Sequence, residues 1–175
     1  MGSLANVTMA AILVLAWPAA ACTLAPNTVC PGADMRGIDV DGRDLGGADF
    51  RNANFTASDM TGVNLGGANL EKATLYAATL KRARLAGAKL GGANLSQVHL
   101  DGTDLTGADL RGANLTMAAL DNADLSNADL RGANLTLVNL RSTRLDGARL
   151  DGAIWGVHET CLTPSVGKCR KDAAD

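Results

Sequence analysis

The chain has 175 residues, 47% of them hydrophobic and 19% charged, which excludes a disordered polar chain and suits one domain. Aromatic residues make up only 3%, so large rings cannot fill the interior as they do in most cores. Sixteen basic residues against eighteen acidic ones leave a formal charge of −2. A strongly basic nucleic-acid binder does not have that balance, and a strongly acidic mimic of DNA does not have it either.

Residues 1–8 are short and mostly polar, and 9–21 (MAAILVLAWPAAA) form one apolar run. That run is too short for a bilayer, which needs about 20 apolar residues. It fits the apolar region of a secretory signal, with Ala19, Ala20 and Ala21 as the small residues before a cleavage point. No Lys or Arg precedes the run, so only the amino terminus supplies positive charge there. No twin arginine is present either, which favours the general secretion route. Export to the periplasm, the cell envelope or the medium is therefore expected. Cys22 follows the alanines directly, as in a bacterial lipoprotein site, although the usual Leu three residues earlier is Ala19 here. Cys22 is thus either a lipid-carrying first residue or a thiol open to disulfide formation.

From Ala33 the chain reads in fives: ADMRG, IDVDG, RDLGG, ADFRN, and so on to ARLDG. Every position divisible by five from Met35 to Leu150 is apolar, twenty-four in all, of which nineteen are Leu. Two residues before each centre stands Ala in sixteen cases, one before stands Asp or Asn in sixteen, and two after stands Gly in thirteen. Five matches neither the helical period nor the strand period. It suits a short extended segment followed by a bend. In such a segment Ala113 and Leu115 face inward together, and Asn114 and Thr116 face out. Gly permits the corner, and Asp or Asn can bond the nearby backbone.

The runs ADLRGANLT at 108–116 and again at 128–136 resemble the pentapeptide-repeat family, whose motif is A(D/N)LXX. The resemblance covers Ala33 to about Ala153. It implies an all-β fold, a right-handed quadrilateral parallel β-helix or solenoid, with four pentapeptides per coil. The sequence carries a matching signature. The eight inward small positions that are not Ala are Ile38, Arg43, Ser58, Val63, Val98, Thr103, Val138 and Thr143, and modulo twenty all fall on two of four sides. Twenty-four repeats then give about six coils, roughly 29 Å of stacked strands. The expected organisation is a secretory signal at 1–21, an N-terminal cap segment at 22–32, the β-helix at 33–153 and a disulfide-closed cap and tail at 154–175.

The four cysteines, Cys22, Cys30, Cys161 and Cys169, flank the repeat in two equally spaced pairs. Three connectivities exist. The length of the solenoid disfavours end-to-end bridges, because a disulfide needs Cα atoms within about 7 Å. That leaves Cys22–Cys30 and Cys161–Cys169, which export would oxidise; a lipidated Cys22 would leave Cys30 unpaired or bonded to another chain. The stretch 154–169 resembles the tail of exported, disulfide-capped family members, in which a Trp covers the last coil. Trp155, Cys161, Ser165, Gly167 and Cys169 match it. A zinc site on His158, Cys161 and Cys169 lacks a fourth ligand. Residues 170–175 are expected to fray.

Outward charges form bands, a basic one at 72–89 and an acidic one at 101–129. Residues twenty apart pair by opposite sign: Lys81 with Asp101, Arg84 with Asp104, Lys89 with Asp109, Asp121 with Arg141, Asp124 with Arg144 and Asp129 with Arg149. Such ladders are self-compensating. One side is nearly uncharged beyond its first coil and carries Asn94, Asn114 and Asn134, with Thr116 and Thr136 beside them. Tyr76, Met117 and Leu137 face outward there and mark a candidate contact face, for a protein partner or for a homodimer.

His99 and His158 are far apart in the repeat register, no Ser or Cys has a neighbouring base, and the glycines sit at corners rather than in a phosphate-binding loop. No catalytic residue, cofactor or metal is expected, and no nucleic acid; contact with a membrane would come only through a lipid on Cys22. The reading is a non-catalytic, exported structural or protein-interaction solenoid of the cell envelope with an unknown partner. The alternative is a DNA-mimicking protein that interacts with topoisomerase (gyrase). That role is implied by better-known members of the family, from which this chain departs in charge, apparent export and absence of loop insertions.

Overall fold

The computed structural model describes residues 22–156, 159–162 and 165–169. The leader at 1–21, His158 and residues 170–175 lie outside them.

Each pentad but the one around Leu140 is an extended triplet closed by a turn of type II. In the pentad around Leu85, the Ala88 amide donates to the Leu85 carbonyl at 3.0 Å, and Gly87 between them has φ 64°. A type II turn requires positive φ at its third residue, which Gly adopts without strain. A left-handed residue recurs at every fifth position from Asn27 to Gly152, Ser142 excepted. Parallel bridges then join residues twenty apart, from Val29–Asp49 through Asn134–Ile154. Four pentads therefore separate one rung from the next, and the stack is a β-helix.

Amide accounting explains the consensus. In the pentad around Leu115, the amides of Asn114, Leu115 and Met117 donate to the carbonyls of Ala93, Asn134 and Thr136, at 2.9, 2.8 and 3.0 Å. Ala113 closes the preceding turn onto the Leu110 carbonyl at 3.0 Å. The fifth amide, of Thr116, has no backbone partner and donates to Asn114 Oδ1 at 3.1 Å. All five donors are satisfied, which a densely bonded solenoid requires. Where Asp or Asn stands before the centre, it is thus the acceptor that completes the turn.

The core is a set of stacked centres. From Leu45 to Leu135 every centre is at most 1% exposed, and the Ala residues two before them line the same interior. Phe50 and Phe55, both fully buried, pack edge to face with ring centroids 5.2 Å apart. The hydroxyls of Ser58, Thr103 and Thr143 donate to the carbonyls of Met35, Leu80 and Leu120, at 2.8, 2.7 and 2.9 Å. These inward polar positions are therefore paired, as burial demands.

The register runs past the expected ends. Cys30 occupies a buried centre one pentad before Met35, and Trp155 takes the centre position after Leu150. Cys22 and Cys30 are joined with Cα atoms 5.9 Å apart, and Cys161 and Cys169 with 5.0 Å. Leu24, Cys22 and Ile38 pack against the first centres. At the other end β1 (Ile154–Gly156) continues the rungs and pairs antiparallel with β2 (Glu159–Thr160). The tail then lies antiparallel on one open edge: Leu150 donates to Ser165 O at 2.7 Å, Gly152 to Cys161 O at 2.9 Å, and Gly167 to Ala148 O at 2.7 Å. Ser165 is fully buried; its amide binds Asp151 Oδ1 at 2.7 Å and its hydroxyl donates to Leu162 O. The described part of this cap covers one half of the last rung only, because Val138, Leu140 and Leu145 stay half-buried beside Trp155.

Candidate interaction surface

The charge ladders expected from the sequence form in part. Lys81–Asp101 and Arg144–Asp124 close to 3.4 Å, and Arg149–Asp129 to 4.0 Å. Arg84–Asp104, Lys89–Asp109 and Asp121–Arg141 do not form ion pairs among the described residues. Their carboxylates are engaged elsewhere: Asp104 accepts from Thr106 Oγ1 at 2.7 Å, Asp121 from Ser142 Oγ at 3.1 Å, and Asp109 from Arg111. The tighter pairs lie within one pentad. Arg36, Arg51, Arg111 and Arg131 each fold back onto the Asp two residues earlier, with Nη2–Oδ2 distances of 2.6 to 2.7 Å. The Asp that accepts the turn amide is already aimed at the outward residue two later, so an Arg there meets it with a fork. Hydrogen bonds from Arg111 and Arg131 hold the carboxyls of Asp109 and Asp129 below the usual carboxylate range.

At the edge of the basic band a shallow groove opens where Gly91 lacks a side chain. Arg51, Asn52, Glu71, Lys72 and Arg111 line the rest of it. Glu71 lies within electrostatic reach of both Arg51 and Arg111, so the groove already contains its own anion. Lys81 of that band is engaged by Asp101.

The side with the Asn ladder is different in kind. Its rungs run Asp34, Asn54, Thr74, Asn94, Asn114, Asn134 and Ile154. From Asn54 to Leu137 its outward positions carry no charge. The corner that ends this side carries Gly37, Ala57, Ala77, Gln97, Met117 and Leu137, all with φ between 53° and 64°. At the other three corners every left-handed residue is Gly or Asn apart from Lys72 and Arg82. Side chains other than Gly and Asn are disfavoured in this conformation by roughly 1–2 kcal/mol each. Met117 and Leu137 recover little of this by burial, being 52% and 62% exposed. Tyr76, 39% exposed, precedes Ala77 of the same corner and donates from its hydroxyl to Gln97 Oε1 at 3.3 Å. The face picked out by outward-facing Tyr76, Met117 and Leu137 is therefore also the corner with the least favourable backbone. Apolarity alone was readable beforehand; the strain was not, because the sign of φ emerges only from the coil.

Among the described residues no group of three or more His, Cys, Asp or Glu is placed to hold a metal ion, and no helix is long and apolar enough to cross a membrane. His99 is exposed on a different side, between Thr79 and Ala119.

A family model described as pentapeptide repeats matches residues 33–71, 78–116 and 118–154, in eight copies. The chain belongs to the pentapeptide-repeat family. Among solved structures it is similar to the pentapeptide repeat protein Rfr23 from the cyanobacterium Cyanothece 51142, at 35% identity over 73% of this chain and 90% of that one, with a TM-score of 0.54. It is also similar to HetL, a pentapeptide repeat protein involved in heterocyst differentiation regulation in Nostoc sp. strain PCC 7120, at 30% identity over 74% and 65% of the two chains, TM-score 0.45. A pentapeptide repeat protein of the Arabidopsis thaliana thylakoid lumen matches at 32% identity over 63% and 70%, TM-score 0.39. No curated protein matches the chain.

Proposed function

We infer that this protein is a non-catalytic, exported module of the cell envelope. It works by presenting a rigid side of a right-handed, four-sided solenoid of about six coils to a protein partner. The observation that carries the reading is the corner of Ala57, Ala77, Gln97, Met117 and Leu137. There, side chains that are exposed at every position but Ala77 occupy left-handed positions that Gly or Asn fills almost everywhere else. Side chains that are costly to the backbone and do little for the core have their use outside the molecule.

The apolar leader and the placement of both cysteine pairs at the ends support export, where the bridges Cys22–Cys30 and Cys161–Cys169 would persist. A mature chain that begins at Cys22 and keeps that bridge carries no lipid on its thiol. Intact mass of the protein from its own envelope, before and after reduction, checks both points. A mass that retains 1–21 with reduced thiols overturns the compartment, and added acyl chains overturn the N-terminal bridge. The gyrase reading calls for a strongly acidic rod, which a formal charge of −2 does not supply.

The contact face is tested with Met117→Gly/Leu137→Gly. Relief of two left-handed side chains is expected to raise stability by about 1 kcal/mol or more, measured by denaturant unfolding. The same variant is expected to lose the crosslinked envelope partner, or the dimer in sizing. Unchanged crosslinking and sizing, with the stability gain in place, would assign the corner no contact role.

A further inference from the structure

We propose that the Asn/Thr side binds a neutral, extended glycan chain laid along the stack of rungs. The argument starts from which hydrogen-bonding groups are left over. On this side Asn54, Asn94, Asn114 and Asn134 each accept, through Oδ1, the amide two residues later at 3.0 to 3.1 Å. The same oxygen accepts the hydroxyl of Thr56, Ser96, Thr116 or Thr136 at 2.6 to 2.7 Å. These bonds fix the flip of every amide, so its Nδ2 group is the one turned away from the turn. Among the described residues those Nδ2 groups donate to nothing, whereas Asn64 Nδ2, on another side, donates to Asp44 at 2.7 Å. Each hydroxyl has given its one proton to the Asn and keeps its lone pairs.

Each such rung therefore offers one amide that can only donate and one hydroxyl oxygen that can only accept. The pair repeats at the strand spacing of about 4.8 Å. Its complement must accept at one point and donate at the next. Alcohol hydroxyls do both, a phosphate or carboxylate only accepts, and an ammonium only donates. No charged side chain lies among the outward positions of this side from Asn54 to Leu137 to balance a charged ligand. The recurrence of one geometry across rungs fits a ligand that itself repeats, and a sugar polymer repeats neighbouring hydroxyls along its length. In the rung that breaks the series, Thr74 and Tyr76 replace the pair. The Tyr76 ring, held through its hydroxyl to Gln97, supplies the flat apolar face on which a sugar ring stacks. This reading uses the Asn/Thr rungs and stands apart from the protein contact assigned to Met117 and Leu137.

The test is calorimetric titration of the full chain with cellohexaose and with chitohexaose. The decisive variant is Asn94→Asp/Asn134→Asp. Asp keeps the oxygen that closes the turn, as Asp104 does for Thr106, and replaces each donor with a charged acceptor; alternate rungs avoid placing the new charges side by side. Binding of at least one oligosaccharide is expected, unchanged in high salt because no ion pair is involved. The variant should bind about tenfold more weakly or worse, for two lost donors, with an unaltered melting profile. Tyr76→Ala should weaken binding as well. No binding of either sugar by the parent chain overturns the proposal. So does binding that fades with salt, or binding that the Asp variant retains in full.

Discussion

Thr103 shows how much one inward atom can matter in this fold. Its side chain is 1% exposed, and its hydroxyl donates to the Leu80 carbonyl, which also accepts the Ala83 amide. Thr103→Val keeps the shape and removes the donor. Because the carbonyl retains its turn amide, the loss is expected to be about 1 kcal/mol rather than the larger penalty of an orphaned group, read from urea unfolding. Val63, on the same side, shows that the interior accommodates that shape. The sequence showed that Ser58, Thr103 and Thr143 share two sides with the other non-Ala residues. It did not show what they bond, because the acceptor lies twenty-three residues away across a rung.

A pentad is the smallest unit in which the charges make sense. The sequence pairs Asp with Lys or Arg twenty residues away, and three of those six pairs close in the structure. The pairs within a pentad, such as Asp109 with Arg111 and Asp129 with Arg131, were not anticipated. Their signal was present as the D-x-R spacing, but its meaning depends on the Asp being aimed by the turn amide. These bonds depress the folded pKa values of Asp109 and Asp129, and those of Asp34 and Asp49 in the same way. A depressed carboxylate contributes stability that is complete above its unfolded value, about 3.9, and is lost as pH falls through the lower folded value. The thermal midpoint should therefore hold from neutral pH down to about 4 and then fall. In Asp109→Asn/Asp129→Asn, which retains the Oδ1 acceptor, that acid limb should be shallower. An identical acid limb would show that these pairs add nothing to folding.

Along the whole molecule the unit of length is the coil, because twenty residues restore every side to itself. Excising residues 73–92 joins Lys72 to Ala93 and leaves the remaining ladders in register. That variant should melt cooperatively, with the tail still seated on the Leu150 edge. Excising only 93–97 removes one pentad and turns every later rung by one side. The core centres still match, since nearly all are Leu, but the Asn rungs and the Lys81–Asp101 pair are broken. Lower thermal stability than in the longer deletion is the expected result, by circular dichroism. Equal stability would mean that the sides are interchangeable and the ladders are decoration.

The pattern of apolar centres, small inward residues and corner glycines determined an extended segment and a bend in every five residues, and its resemblance to the pentapeptide-repeat motif implied the β-helix. A period of five with no insertion leaves few ways to bury Leu at every fifth position. It also located the uncharged side, since charge is visible in the letters. Other features arise between residues that are distant in the chain and adjacent in the stack. Cys30 extends the register because its amide donates to the Asp49 carbonyl of the next rung, and Trp155 because Ile154 before it bridges to Asn134, although neither matches the repeat consensus. Among the described residues the tail meets only one half of the last rung. The direction of each free amide group on the Asn rungs follows from a turn bond, and the strain at Met117 and Leu137 follows from the corner they occupy. Those are properties of backbone geometry, which the stacking of coils imposes and a single linear sequence does not display.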